Sequence, residues 1–91
     1  VLPHLVTHAR KRMAQRGIGM EALALVLRHG RRVHAAGAWF VFLGYRDVPR
    51  RLQKELEALV GTTVVLDPTG QLVLTCYRNR DAARLIRRKQ S

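Results

Sequence analysis

His8, Arg12 and Arg16 recur at intervals of four, the spacing that aligns side chains along one side of an α-helix. An imidazole titrates near neutral pH and can accept or donate a proton. Guanidinium groups in line with it can each hold a phosphate through two hydrogen bonds. Arg10 and Lys11 add charge to the same segment. Towards the other end of the chain, Thr75, Tyr77 and Arg78 form a second polar group, in which Tyr77 could stack on a base and Arg78 could add charge. Paired carboxylates, a Cys–His pair and a glycine-rich phosphate loop are missing from the sequence, so the chemistries they serve have no carriers. His4 and His8 share a helical spacing that suits a metal, but no third ligand accompanies them, and no metal or cofactor is expected.

Each of these residues has an ordinary alternative. His8 can simply bond a carbonyl in a first helical turn, and Arg12 and Arg16 can be a solvated helix face. Thr75 and Tyr77 are good strand formers whatever else they do. Cys76 follows Leu72 and Leu74 at period two, which points to a buried, inert thiol rather than a nucleophile. Trp39, Phe40 and Phe42 read as core, and His29 and His34 carry no assigned role.

The elements that must position these residues can be read from period and punctuation. Thr7 is the expected cap of a first helix over residues 8–16, with Val6, Ala9 and Met13 as a narrow apolar stripe and Gly17 as its left-handed stop. A second helix spans residues 20–29, with Met20, Leu23, Ala24 and Leu27 facing inward, Leu25 and Val26 widening the apolar surface, and Gly30 ending it. The period then changes to two. Strands are expected over 31–36 and 38–45, the second apolar on both faces and therefore central. Helical period returns over 50–60, where Leu52, Leu56, Leu59 and Val60 share one side and Gly61 closes the segment. Strands over 62–66 and 71–77 flank Asp67-Pro68-Thr69-Gly70, whose residue order suits a type I turn. Strict alternation in the last strand puts Leu72, Leu74 and Cys76 on one face and Val73, Thr75 and Tyr77 on the other. Asp81 can cap a closing helix that runs into Arg87, Arg88 and Lys89. The sum is an α+β fold: two N-terminal helices packed on a small antiparallel sheet of about four strands.

Composition bounds what such a chain can be. Its 91 residues suffice for one small domain, and 47% of them are apolar, enough for one core. Lysine and arginine number 17 against 6 acidic residues, a formal charge of +11. Such self-repulsion implies a polyanionic partner. Arginine outnumbers lysine 14 to 3, which suits bidentate phosphate contacts but also follows from a GC-rich genome. One cysteine excludes a disulfide scaffold. The longest apolar runs, residues 22–27 and 38–43, are too short to span a bilayer, and no signal peptide is visible, so the default expectation is a soluble cytoplasmic protein.

The run His8-Ala9-Arg10-Lys11-Arg12-Met13-Ala14-Gln15-Arg16-Gly17-Ile18 resembles the opening signature of the domain-of-unknown-function family 4258, and Leu74-Thr75-Cys76-Tyr77-Arg78-Asn79 resembles that family's closing strand. The likeness extends over roughly residues 7–79, with Gly19 and Cys76 as departures where the family has a cap residue and valine. That family looks like a distant relative of RelE-type toxins. The resemblance implies a RelE-like fold and metal-independent RNA cleavage, in which the ribose 2′-OH attacks the adjacent phosphate. His8 would then be the acid or base, Arg12 and Arg16 would hold the phosphate, Thr75 and Tyr77 would orient the ribose, and Arg10, Lys11 and Arg78 would add charge around the RNA.

Three readings follow: a toxin-type ribonuclease acting on ribosome-associated RNA or tRNA, a non-catalytic nucleic-acid-binding domain, and a module whose basic surface receives an acidic protein such as an antitoxin. Catalysis requires His8 within hydrogen-bond reach of a site shared by Arg12 and Tyr77, whereas binding requires only a basic surface.

Overall fold

A computed structural model describes residues 4–78; the expected helix from Asp81 and the cations that follow it lie outside these residues. Five strands form one mixed sheet: β1 (His4–Leu5), β2 (Arg31–Ala35), β3 (Ala38–Phe42), β4 (Thr62–Leu66) and β5 (Leu72–Arg78), in spatial order β1-β5-β4-β3-β2. All pairings are antiparallel except β1 with β5, which is parallel. The α+β class is as expected from the sequence. The fifth strand is an addition to it, because a two-residue strand is too short to carry a visible alternation.

α1 (Thr7–Gln15) begins where the Val6 amide donates to the Val73 carbonyl. Val6 holds the cap position and no side chain caps the helix, so Thr7 is the first helical residue rather than the cap. Gly17 takes a left-handed φ of 65°, and the amides of Gly17 and Ile18 reach back to the carbonyls of Ala14 and Met13. This pair of bonds satisfies carbonyls that the helix end would otherwise strand, and it drops Ile18 beside Met13 in the core. α2 (Met20–His29) buries Leu23 and Val26 completely, while Met20 is 47% exposed. Its inward face is thus turned from the expected Met20-Leu23-Ala24-Leu27 stripe towards Val26, one of the two residues that widened the apolar surface.

Both helices cover one face of the sheet. Val41, Val64, Leu66, Val73 and Cys76 meet Ala9 and Met13 of α1 and Leu23 and Val26 of α2 there. The other face gathers Ala35, Ala38, Phe40 and Val65, with Val33, Phe42, Leu74 and Tyr77 packed at the margin. β5 contributes to both faces through an irregularity. Val65 pairs with Thr75 but Leu66 pairs with Val73, so Leu74 has no residue opposite it. The extra residue breaks the expected alternation: Val73 and Cys76 share the helix-covered face, and Leu74 and Tyr77 share the other.

Residues 50–60 are helical but not one regular helix. Tight turns at Arg50–Leu52 and Glu57–Leu59 flank a single α-turn, α3 (Gln53–Leu56). Only Leu56 is fully buried, with Leu52 and Leu59 partly so, and that small area leaves little packing to enforce regular α-geometry. Upstream, β3 stops at Phe42 and not at Tyr45, because Gly44 to Asp47 turn the chain away from the sheet.

Two hairpins order the sheet. Ala36 and Gly37 connect β2 to β3 with φ of 50° and 73°, so Ala36 belongs to the turn rather than to the strand. Two positive φ values give a turn whose twist matches the flanking strands, and alanine fits the first position poorly. The Asp67-Pro68-Thr69-Gly70 turn closes as expected, with the Gly70 amide on the Asp67 carbonyl at 2.9 Å. The Asp67 carboxylate accepts bonds from Thr69 Oγ1 at 2.6 Å and from the amides of Gln71 and Leu72 at 2.9 Å each. These bonds, the one from Thr69 foremost, hold its pKa below the ordinary carboxylate value. Trp39 Nε1 also donates to the Pro68 carbonyl at 3.1 Å, tying the turn to β3.

Two outcomes are expected. Ala36→Asn should raise stability by about 0.5–1 kcal/mol, visible as a higher melting temperature, because asparagine tolerates the left-handed conformation; a lower melting temperature would contradict this account of the turn. A carboxyl with a depressed native pKa stabilises the fold above its unfolded pKa, and that stability is lost as pH falls through the native value. Wild type should therefore be more stable than Asp67→Asn near neutral pH, with the gap narrowing below about pH 4. Denaturant titrations from pH 7 to pH 2 test it, and a gap independent of pH would refute it.

Candidate nucleic-acid interface

α1 presents its cations outward. Burial of Ala9 and Met13 against the sheet leaves His8, Arg10, Lys11, Arg12 and Arg16 exposed. Arg12 and Arg16 lie near enough to Cys76 for their charge to pull its pKa down, although burial, the larger effect, pushes it up. This proximity locates the C-terminal half of α1 beside the last residues of β5. Cys76 has no exposed surface, as expected of an inert core thiol.

The second group divides across the sheet. Tyr77 lies on the face that the helices do not cover, in a row that crosses four strands: Arg31 pairs with Phe42, Phe42 with Thr63, and Thr63 with Tyr77. Thr75, paired with Val65, shares that face. Arg78 ends β5 opposite Thr62, exposed, and alternation turns it to the side of α1. Burial raises the pKa of the Tyr77 hydroxyl, and a hydrogen bond with Thr63 opposes this in part. That bond is a loose one: the Thr62 and Thr63 hydroxyls are both fully buried without a partner in good geometry.

The arrangement brings Arg12, Arg16 and Arg78 to one end of the sheet. It does not bring His8 to Tyr77. His8 stands in the first turn of α1, which starts beside Val73, four residues before Tyr77, and α1 covers the opposite face. Thr75 is likewise separated from the arginines of α1 by the sheet. Among the described residues, no three His, Cys, Asp or Glu side chains cluster to hold a metal, and no helix is long and apolar enough to cross a membrane.

The same end of the sheet holds a feature that strand periodicity concealed. Gly44 to Asp47 form a tight turn closed in both directions: the Asp47 amide donates to the Gly44 carbonyl at 3.0 Å, and Asp47 Oδ2 accepts the Gly44 amide at 2.9 Å. Asp47 Oδ1 accepts from Arg31 at 3.3 Å, which ties the turn to β2. A side chain at Gly44 would meet the Phe42 ring at 2.9 Å and the Asp47 carboxylate at 3.0 Å, so only glycine lets the turn sit against both. Tyr45 projects from this turn 67% exposed, its hydroxyl accepting a bond from Gln53 Nε2 at 3.1 Å. The signal lay in the residue order: an aromatic inside Gly44-Tyr45-Arg46-Asp47, followed by Pro49-Arg50-Arg51, reads as an arginine-rich turn once 45 is removed from the strand.

Cys76 supplies a check on this geometry. In native protein the thiol should react with an aromatic disulfide reagent at least about 100-fold more slowly than in denatured protein at the same pH, because burial limits access and disfavours the thiolate. Rapid native labelling would mean that α1 does not cover β5 as described. Comparison with known proteins yields no match to any family model, curated protein or solved structure, so the likeness to family 4258 and to RelE-type toxins rests on the residues that carry it.

Proposed function

We propose that this chain is a small RNA-binding protein that holds single-stranded RNA by its phosphates across the basic end of the sheet. The observation that carries this reading is uncompensated charge. Of the arginines and lysines among the described residues, Arg31 alone forms an ion pair, while Arg12, Arg16, Arg46 and Arg78 stand exposed. Exposed guanidinium groups held by a rigid helix and sheet are suited to displacing counterions from a phosphate chain, which is the main source of affinity in such complexes. The spread of these cations over a short helix, a turn and a strand end, rather than along one long helix, suits a flexible strand better than a duplex groove.

The ribonuclease reading, implied by the resemblance to RelE-type toxins, concerns the same RNA and demands more. His8 would have to act on a phosphate held by Arg12 with Tyr77 in reach, and the sheet stands between His8 and Tyr77. The geometry therefore favours binding over cleavage. An acidic protein segment, such as an antitoxin would supply, is a competitor for the same cations.

The test is fluorescence anisotropy with a labelled single-stranded RNA over a range of salt concentrations. Wild type should bind with a steep negative dependence of log K on log salt. Arg12→Gln/Arg16→Gln should flatten that slope by about 1.4, at about 0.7 for each phosphate no longer neutralised. Absence of binding at low salt, or an unchanged slope, would overturn the reading. Gel analysis of the same RNA after metal-free incubation decides the catalytic question, with intact RNA expected; cleavage by wild type but not by His8→Ala would establish the enzyme instead.

A further inference from the structure

Two hollows meet at the Gly44–Asp47 turn, and they differ in chemistry. One, of about 380 Å³, is bounded by Phe42, Gly44 and Tyr45 on one side and by Glu57, Val60 and Gly61 on the other. The second, of about 350 Å³, shares Phe42, Gly44 and Tyr45 but is closed by Arg31, Arg46 and Asp47. Tyr45 therefore borders both.

We propose that Tyr45 is a stacking platform for one unpaired nucleotide of RNA, with the base in the Glu57 hollow and its phosphate in the Arg31–Arg46 hollow. The inference rests on the RNA-binding reading and names where on the chain a base is gripped.

Four observations carry it. A tyrosine that is 67% exposed would ordinarily be free to rotate, but Tyr45 is held at both ends: its backbone by the reciprocal Gly44–Asp47 bonds, its hydroxyl by Gln53. A ring fixed in this way loses little conformational entropy when a base settles on it. The first hollow offers apolar and aromatic surface from Phe42, Tyr45 and Val60, which suits a flat base. Its one charged residue, Glu57, repels phosphate and can accept a bond from a base amino group, so the backbone of a bound strand is directed elsewhere. The second hollow supplies that direction. Arg46 is exposed, and the Arg31 side chain remains 56% exposed while bound to Asp47, leaving donors for a phosphate oxygen.

Asp47 is a positioning residue in this arrangement. It aims the turn and neutralises part of the Arg31 charge, so Arg46 is the unpaired cation of the phosphate hollow and the two arginines together outweigh its one carboxylate.

The experiment uses the full chain and a single-stranded RNA carrying 2-aminopurine, whose fluorescence falls when it stacks on an aromatic ring. Wild type should bind and quench. Tyr45→Ala should bind about 5- to 100-fold more weakly and lose the quench, whereas Tyr45→Phe should keep the quench and weaken binding less than Tyr45→Ala does, since stacking needs the ring while the lost Gln53 bond only frees it to rotate. Circular dichroism should show both variants folded, as the ring is largely outside the core. Unchanged affinity and quench in Tyr45→Ala would overturn the platform while leaving the RNA-binding reading intact. Wild type that binds no RNA would overturn both. Binding of a fully paired duplex as tightly as of the single strand would also overturn the platform, because a paired base cannot enter the hollow.

Discussion

Val41, Val64, Val73 and Cys76 form a face with no exposed surface, and both helices are placed by the need to keep it dry. Complete burial of a valine or leucine side chain contributes about 1.5–3 kcal/mol relative to exposure, and the cations have to be accommodated against that gain. The solution is a division by layer. Ala9, Met13, Leu23 and Val26 close the dry face from above, while the remaining sides of α1 and the strand ends receive the charge. Because only one arginine among the described residues is ion-paired, like charges are kept apart by distance and water rather than neutralised. A polyanion would relieve this repulsion, which links the economy of the core to the surface that a ligand would meet.

The unpaired Leu74 has the widest effect of any single position. Without it, residues 73 and 75 would share a face and Tyr77 would join them. With it, Val73 is released to the helices while Thr75 and Tyr77 look the other way. With Val73 held beneath the helices, the added residue puts Thr75 and Tyr77 on the face opposite α1 and so parts them from Arg12 and Arg16. It also completes the row of Tyr77, Thr63, Phe42 and Arg31, which ends at the edge strand beside the Gly44 turn.

Local signals in the sequence were sufficient for much of the fold. The Gly17 stop, the limits of α2, the limits of β4 and the Asp67 turn depend on residues close together in the chain, whose preferences act without tertiary help. The failures arose where distant contacts decide. The rotation of α2 is set by what lies beneath Val26, the Leu74 irregularity by the partner strand, and β1 by the existence of β5. For the candidate site, the exposure of Arg12 and Arg16 followed from helical spacing, but the relation of His8 to Tyr77 depended on which sheet face α1 covers. Tyr45 was hidden for a simpler reason: an aromatic after an apolar run looks like one more strand residue until the Asp47 carboxylate is seen to pull the turn out of the sheet.

Trp39, the single tryptophan, clamps the Asp67 turn from the end of β3 opposite Phe42. Three residues of strand place these positions about 10 Å apart. The indole therefore reports optically on one hairpin and stands clear of the Tyr45 hollows. Its emission can follow the opening of the β4–β5 hairpin separately from changes at the far end of the sheet, so this chain carries a built-in optical report on one hairpin alone.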